Sequence, residues 1–293
     1  GIATDSAGSG APANRWSSSR VLKTRLISAV IMIPLVVFGV LYASTTTFQL
    51  VLAAILLAGA WEWGRLAGLT APLTRAVYVA VVGGMLLLSH AAGLQAIAWP
   101  VLLVACLWWL CALVWLTRPR ACAGSSTACM LVKLLAGLLV CVPAWAVLGL
   151  MHGTAEDGPV LVLVLLVMVW LADSGAYFAG RFLGRHKLAP VVSPGKTWEG
   201  VFGGLLASVL FAAGTGWLLF AADLPWIVKF MLATLVAMMF SIVGDLFVSL
   251  LKRQSGLKDS GNIIPGHGGI FDRIDSLVAA APLFLAGYRW LEL

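Results

Sequence analysis

Nine long apolar stretches determine what this chain can fold into. A helix needs about 20 mostly apolar residues to cross the hydrocarbon core of a bilayer. Stretches of about that length, separated by short polar segments, occupy residues 26–43, 46–67, 75–92, 97–116, 131–151, 159–180, 199–221, 226–251 and 277–292. We therefore predict an all-α fold, a polytopic transmembrane helix bundle with about nine spans.

The composition favours a membrane bundle over a water-soluble protein. Hydrophobic residues make up 61% of the chain and charged residues 11%, whereas soluble domains carry about 25% charged residues. The net charge of +7 does not indicate nucleic-acid binding, because the basic residues flank the apolar stretches and form no continuous basic face. The five cysteines have no CxxC spacing, which argues against a zinc site or a disulfide framework.

The basic residues indicate the direction of the spans. Lys and Arg are enriched at the cytoplasmic ends of membrane helices. If the N-terminus lies inside, only Lys229 and Arg289 of the 19 basic residues fall on the outer side. The basic residues thus concentrate in every second loop, which predicts an N-in, C-out topology. Any soluble substrate would then reach the polar loops from the cytoplasm.

Polarity also suggests how the chain is organised. Residues 1–20 are rich in Gly, Ala, Ser and Asn and contain no apolar run, so we expect a disordered segment or a remnant of processing or cloning. Residues 21–293 form a single transmembrane domain in this prediction. Two polar, Gly-rich and basic loops on its cytoplasmic side, 181–198 and 252–276, contain most of the residues suited to chemistry.

The densest polar stretch covers residues 249–275. Asp245 lies just before it, in the last turns of the eighth span, where a carboxylate is costly unless a cation or partner meets it. Asp272 and Asp275 are three residues apart and share one face if a helix begins near Phe271. Three converging carboxylates form a hard-oxygen site suited to Mg²⁺. We therefore predict Asp245, Asp272 and Asp275 as metal ligands.

Cationic side chains and glycines surround these carboxylates. Glycine lets backbone N–H groups approach a ligand closely, because no Cβ stands in the way. Carboxylates for a metal, cations for phosphate and accessible N–H groups are what phosphoryl or nucleotidyl transfer requires. The candidate residues of this kind are Lys252, Arg253, Lys258, His267, Gly268, Gly269 and Arg273.

The other polar loop has its own candidates. Asp173 lies inside the sixth span and is another costly membrane carboxylate. The run Ser193-Pro-Gly-Lys-Thr resembles a phosphate-binding loop in composition but lacks the GxxxxGK[ST] spacing. Lys196 can contact phosphate as a point charge. Glu199 either serves the site or only complements the dipole at a helix N-terminus.

Glu62, in the run Trp61-Glu-Trp-Gly-Arg, is a further carboxylate inside a span. Arg65 follows it by three residues, and side chains at this spacing meet on a helix surface. We therefore predict a structural Glu62–Arg65 ion pair rather than a functional role.

Residues 249–275 resemble the signature of the phosphatidate cytidylyltransferases, also called CDP-diacylglycerol synthases. That signature has a Ser, then Lys-Arg, Lys-Asp, a Pro or Gly before His-Gly-Gly, then Asp-Arg and a final Asp. The matching residues are Ser249, Lys252-Arg253, Lys258-Asp259, Pro265, His267-Gly268-Gly269, Asp272-Arg273 and Asp275. Residues 173–184 and 193–200 are also similar to this family.

The resemblance implies an enzyme of phospholipid biosynthesis. CTP and phosphatidate would give CDP-diacylglycerol and pyrophosphate, with Mg²⁺ and a second cation held by Asp245, Asp272 and Asp275. It implies a bacterial inner (plasma) membrane protein whose active site faces the cytoplasm. Its partners would be CTP, phosphatidate and membrane lipid, without nucleic acid, and a homodimer stays open.

The resemblance also implies roles for single residues. Asp259 is expected to be one of the catalytic residues. His267 orients the Gly-rich turn and need not be a base, because a phosphate monoester, with a second pKa of about 6, is already largely ionised in neutral solution. Contacts to lipid or nucleotide phosphates are expected from Lys252, Arg253, Lys258 and Arg273, and contacts to the CTP phosphates from Ser193, Lys196 and Thr197.

Two other functions fit parts of the pattern. A CTP-dependent polyprenol or lipid kinase would use similar residues but transfer the γ-phosphate and release CDP. An ion or metabolite transporter would need polar residues spread through the bilayer midplane, whereas here they gather at the predicted cytoplasmic ends of the spans. The cytidylyltransferase is therefore the leading prediction.

Overall fold

The computed structural model describes residues 30, 32–124, 126–154, 157–261 and 268–292. The predicted disordered segment 1–20 and the candidate His267 lie outside this part of the chain. Within it, the helices are α1 Met32–Tyr42, α2 Thr45–Ala67, α3 Pro72–Ala91, α4 Ala98–Leu116, α5 Thr127–His152, α6 Gly158–Phe182, α7 Trp198–Leu218, α8 Leu224–Gln254 and α9 Phe271–Trp290. An antiparallel hairpin of β1 Lys187–Ala189 and β2 Ser193–Thr197 connects α6 to α7.

The helical bundle is confirmed, and each predicted apolar stretch corresponds to one of these helices. In the described residues, seven helices, α2 to α8, are long and apolar enough to cross a membrane. The described part of α1 is shorter, and α9 begins with the polar turn around Asp272 and Asp275. The count of nine spans and the N-in, C-out orientation stay predictions.

The all-α prediction is incomplete, because it missed the hairpin before α7. Its strands are short, and β2 has the sequence Ser-Pro-Gly-Lys-Thr. Pro and Gly are depleted in strands, so this run gives no strand signal. The hairpin pairs Lys187 with Thr197 and Ala189 with Ser193, and it brings Lys196 to the start of α7.

Helix α5 forms the centre of the bundle. Residues 140–152 are buried on every side of the helix, as expected for a helix that is apolar all round. Its neighbours include α2, α3, α4, α6 and α9. Large aromatic side chains fill the space beside it, and Trp63, Trp109, Phe247, Phe271 and Phe284 are among the largest fully buried ones.

Small residues allow α6 and α7 to pack backbone against backbone. A Cβ added at Gly175 would lie 2.8 Å from the carbonyl oxygen of Gly203, and one added at Gly200 would lie 2.8 Å from that of Ala176. Membrane helices commonly associate through such small residues, because the backbones can then approach closely. This contact holds the hairpin and the first turn of α7 against the last turns of α6.

The ends of five helices meet on one side of the bundle. These are the C-terminal ends of α2, α6 and α8 and the N-terminal ends of α7 and α9. Contacts between distant residues join them: Arg65 of α2 donates to the carbonyl oxygen of Ser260, and Lys196 of β2 pairs with Asp245 of α8. The described parts of the two predicted polar loops therefore lie together at this end.

The packing of α6 on α7 predicts that two glycines of α7 differ in their tolerance of a side chain. Gly203→Leu should lower the thermal unfolding midpoint in detergent, because its side chain would meet Ala179 and the backbone of Gly175. Overpacking of this kind costs about 1–3 kcal/mol. Gly214→Leu is the control, since nothing lies within 4 Å of a Cβ there. Equal midpoints for the two variants would contradict a tight contact between the helices.

Candidate functional site

A cavity of about 530 Å³ lies among α6, α7, α8 and α9, beside the hairpin. Both carboxylates and cations form its wall. Eight of the residues predicted from the sequence line it: Asp173, Lys196, Thr197, Asp245, Lys252, Asp272, Arg273 and Asp275. The two polar segments, which are distant in sequence, thus face one space.

Two lysine–carboxylate pairs lie in this wall. Lys196 Nζ is 2.6 Å from Asp245 Oδ2 and joins β2 to α8, and both side chains are partly exposed. Lys252 Nζ is 2.6 Å from Asp272 Oδ1 and joins α8 to α9, with side chains 11% and 10% exposed. Each ammonium group supplies the cation that a carboxylate at the edge of an apolar bundle requires.

Further hydrogen bonds fix the orientation of Asp272. Its Oδ2 accepts from the backbone N–H of Ser260 at 2.9 Å and from that of Gly269 at 3.1 Å. The hydroxyl oxygen of Ser260 lies 3.1 Å from the same Oδ2. Asp272 also stands in the first turn of α9, where the helix dipole favours a negative charge. One oxygen of Asp272 is thus held by the polar segment, and the other meets Lys252.

Asp275 lies one turn further along α9 and is only 7% exposed. Its Oδ1 accepts from the backbone N–H of Ser276 at 2.8 Å. Helix α8 comes close here because Gly244 has no Cβ, and a Cβ at this position would meet the carbonyl oxygen of Asp275. Asp245, the next residue of α8, faces the same cavity. The predicted convergence of carboxylates therefore depends on the α8–α9 contact.

The carboxylates fit a divalent cation by the type of their ligand atoms. Asp173, Asp245, Asp272 and Asp275 all line the cavity, and carboxylate oxygens are the ligands that Mg²⁺ prefers. Among the described residues, however, no three His, Cys, Asp or Glu side chains form a group that could hold an ion. Asp245 and Asp272 have lysine partners instead. To share a cation, these carboxylates would have to release their lysines.

Two predicted site residues support the hairpin and do not line the cavity. Arg253 Nε donates to the carbonyl oxygen of Val192 at 3.4 Å and ties α8 to the β1–β2 turn. Glu199 accepts from the backbone N–H of His186, and its Oε1 lies 2.7 Å from His186 Nδ1. Glu199 thus contacts His186 at the start of α7, and its role in substrate binding stays a prediction.

The remaining predicted residues in the described part of the chain do not line the cavity. Gly269 acts on the site through its N–H bond to Asp272. The residues outside the wall are Ser193, Lys258, Asp259, Gly268 and Gly269. Their predicted roles stay predictions.

The prediction for Glu62 is wrong, because this side chain does not pair with Arg65. Glu62 Oε1 accepts from the N–H of Ile270 at 3.0 Å, and Oε2 accepts from the N–H of Phe271 at 3.0 Å and from the hydroxyl of Ser260 at 2.8 Å. Arg65 donates to the carbonyl oxygen of Ser260 at 2.9 Å. The first N–H groups of a helix lack partners within it, so the start of α9 competes successfully for the carboxylate.

Tyr177 and Arg181 are two polar residues of the cavity wall that were not among the predicted site residues. Arg181 Nη1 donates to the hydroxyl oxygen of Tyr177 at 2.5 Å. Both residues follow Asp173 on α6 at successive i, i+4 positions, which places all three on one helix face. That spacing was present in the sequence and could have identified them.

The chain is similar to known proteins over nearly its whole length. The family model described as "Cytidylyltransferase family" matches residues 23–291. A phosphatidate cytidylyltransferase of Pseudomonas aeruginosa is 42% identical over 269 residues, which cover 91% of this chain and 96% of that protein. The corresponding enzyme of Haemophilus influenzae is 37% identical over 285 residues, with coverage of 90% and 97%. One from Brucella suis is 35% identical over 283 residues, with coverage of 92% and 95%.

Proposed function

Because the chain belongs to the cytidylyltransferase family, we propose that it transfers the cytidylyl group of CTP to phosphatidate and forms CDP-diacylglycerol and pyrophosphate. The relatives named phosphatidate cytidylyltransferase support this proposal, since they match the whole bundle and not the polar segment alone. The observation that carries it is the shared cavity, in which lysines and arginines face a group of carboxylates at one end of an apolar bundle.

The chemistry of this reaction suits such a cavity. A phosphate oxygen of phosphatidate attacks the α-phosphorus of CTP, and the bond from that phosphorus to the β-phosphate oxygen breaks as pyrophosphate leaves. The attacking phosphate, with a second pKa of about 6, is already largely ionised in neutral solution. No strong base is therefore needed. The protein has to bring two polyanions together and stabilise the charge that develops on the leaving group.

Lys196 is the residue that we assign to the CTP phosphates. It precedes the N-terminus of α7, where the Thr197 hydroxyl caps the helix by accepting from the N–H of Gly200 at 3.1 Å, and N–H groups at such a position favour an anion. The Lys196 side chain is 26% exposed, so its ammonium group can turn from Asp245 toward a phosphate. We also assign Ser193, at the start of the same strand, to the nucleotide.

Asp245, Asp272 and Asp275 would hold Mg²⁺ in this proposal, and a bound Mg²⁺ would neutralise phosphate charge. Two of these carboxylates are paired with Lys196 and Lys252 in the structure. Phosphates of the incoming substrates would attract both ammonium groups and release the carboxylates for the cation. We therefore propose that nucleotide and cation bind together rather than in sequence.

The C-terminal end of α6 is where we place the lipid phosphate. Arg181 lines the cavity, and Phe178 and Phe182 beside it are 58% and 75% exposed on the outside of the bundle. Neighbouring exposed apolar side chains suit contact with lipid, and a guanidinium binds phosphate through two parallel hydrogen bonds. This arrangement supports a lipid phosphate beside Arg181. The proposed position at the cytoplasmic face of the bacterial inner membrane rests instead on the basic residues of the polar loops.

Identification of both products tests the proposed reaction. Purified protein incubated with CTP, phosphatidate and Mg²⁺ should release pyrophosphate and form a lipid that contains cytidine. Release of CDP together with a lipid diphosphate would show a kinase instead. Absence of any lipid product under these conditions would refute both enzymatic functions.

Removing either carboxylate of α9 should abolish most turnover while the protein still folds. Asp272→Asn and Asp275→Asn should each lower kcat at least about 100-fold, since charge stabilisation of this kind is worth that much in other enzymes. Asp223→Asn is the control, because Asp223 caps the first turn of α8 and does not line the cavity. It should keep wild-type kcat. Full activity of either α9 variant in detergent would remove that carboxylate from the site.

A further inference from the structure

We infer that Glu62 is a positioning residue of the active site and that it acts through Ser260 on Asp272. This inference rests on the proposed function, because it concerns the same site. Glu62 belongs to α2 and lies 198 positions before Ser260, outside both polar segments. It does not line the cavity, so its effect on the reaction has to pass through another residue.

The contacts of Glu62 account for both of its oxygens. The side chain is buried, with only 3% of the residue exposed, and a buried charge is stable only when hydrogen bonds offset its desolvation. Among the described residues it has three donors, and two of them are the N–H groups of Ile270 and Phe271 at the start of α9. Ile270, the residue before α9, provides no side-chain cap of its own. Glu62 therefore caps α9 from a different helix.

Ser260 connects Glu62 to the active site. Its hydroxyl oxygen lies 2.8 Å from Glu62 Oε2 and 3.1 Å from Asp272 Oδ2, and its backbone N–H donates to the same Oδ2. The single hydroxyl proton is thus shared between two carboxylates. Ser260 is fully buried, so water does not replace either contact. The position of Asp272 therefore depends on where Glu62 holds Ser260.

Two glycines pack closely against this bridge. A Cβ added at Gly261 would collide with Oε1 of Glu62, and one added at Gly269 would lie 2.5 Å from Oε2 and would collide with the Ser260 hydroxyl. Gly269 also donates its N–H to Asp272. We therefore expect a change at Glu62 to shift Ser260 and, through it, Asp272.

Other bonds attach the same segment to α2 without reaching Asp272. Ser255 donates through its hydroxyl to the carbonyl oxygen of Leu66 at 2.6 Å, and Arg65 donates to that of Ser260 at 2.9 Å. Both bonds end on backbone atoms. Glu62 differs because its partner Ser260 also contacts Asp272, a carboxylate of the cavity wall. Ser255 therefore provides a matched control for a role that is only structural.

Kinetics of Glu62→Gln, Ser260→Ala and the double variant test the inference. Glutamine offers one acceptor oxygen where the carboxylate offers two, so its NH₂ group would face either the N–H of Ile270 or the two donors Phe271 and Ser260. Either orientation should weaken the hold of residue 62 on the bridge. Partners that orient a site residue typically contribute about 10–100-fold to activity, and each single variant should lose that much in kcat. KM for both substrates should stay within about threefold, as expected for an effect on the transition state alone. The double variant should lose no more than the more impaired single variant, because both changes break one bridge.

Ser255→Ala should keep wild-type kcat even where its unfolding midpoint falls. Losses that multiply in the double variant, or a Glu62→Gln kcat within about twofold of wild type, would overturn the inference. If Glu62→Gln does not fold, Ser260→Ala decides by itself, since a wild-type kcat for this variant excludes the bridge from catalysis.

Hydrogen exchange gives a second readout that does not depend on activity. The amides of Gly269, Ile270 and Phe271 should exchange faster in Glu62→Gln than in wild type and in Ser255→Ala. Unchanged exchange would overturn the anchoring role of Glu62. A wild-type protein that forms no CDP-diacylglycerol would refute the proposed function, and the exchange rates would still report on Glu62.

Discussion

A carboxylate at the edge of an apolar bundle is stable only when a partner offsets its charge, and this requirement organises the end of the bundle that holds the site. Asp245 meets Lys196, Asp272 meets Lys252, and Glu62 meets three donors from the polar segment and α9. In each case the partner comes from a different element. Satisfying the charges therefore fixes how β2, α2, α8 and α9 stand relative to one another.

The same pairs suit the proposed reaction. An ammonium group that is already held beside a carboxylate lies in the cavity before a substrate arrives, so little reorganisation is needed when a phosphate replaces the carboxylate. The exchange would also release carboxylate oxygens at the moment when a cation accompanies the nucleotide. Glu62 is different in kind, because its donors are backbone groups and a buried serine that no substrate can reach. Glu62 keeps Asp272 in place while Lys252 exchanges that carboxylate for a substrate phosphate.

The sequence predicted the helices well because apolar length is a local property. It also predicted eight residues of the cavity wall, since polar residues at the ends of apolar spans are conspicuous. The hairpin was missed because β2 contains Pro and Gly, which are depleted in strands. Its stability comes from contacts with α7 and α8, which lie outside the local sequence. The role of Glu62 could not be predicted, because its partners lie about 200 positions away in sequence. Arg65, the nearest cation in sequence, was therefore predicted as the partner of Glu62, whereas it donates to the carbonyl oxygen of Ser260.

Cation binding by the nucleotide-free protein shows most directly whether Lys196 and Lys252 compete with a divalent cation for the carboxylates of the cavity. Calorimetric titration with Mg²⁺ can compare wild type with Lys252→Met, in which the apolar side chain fills the same space without the charge. Lys252→Met should bind Mg²⁺ at least about tenfold more tightly than wild type, because an ammonium group 2.6 Å from Asp272 no longer competes for that carboxylate. Equal or weaker binding by the variant would contradict this competition.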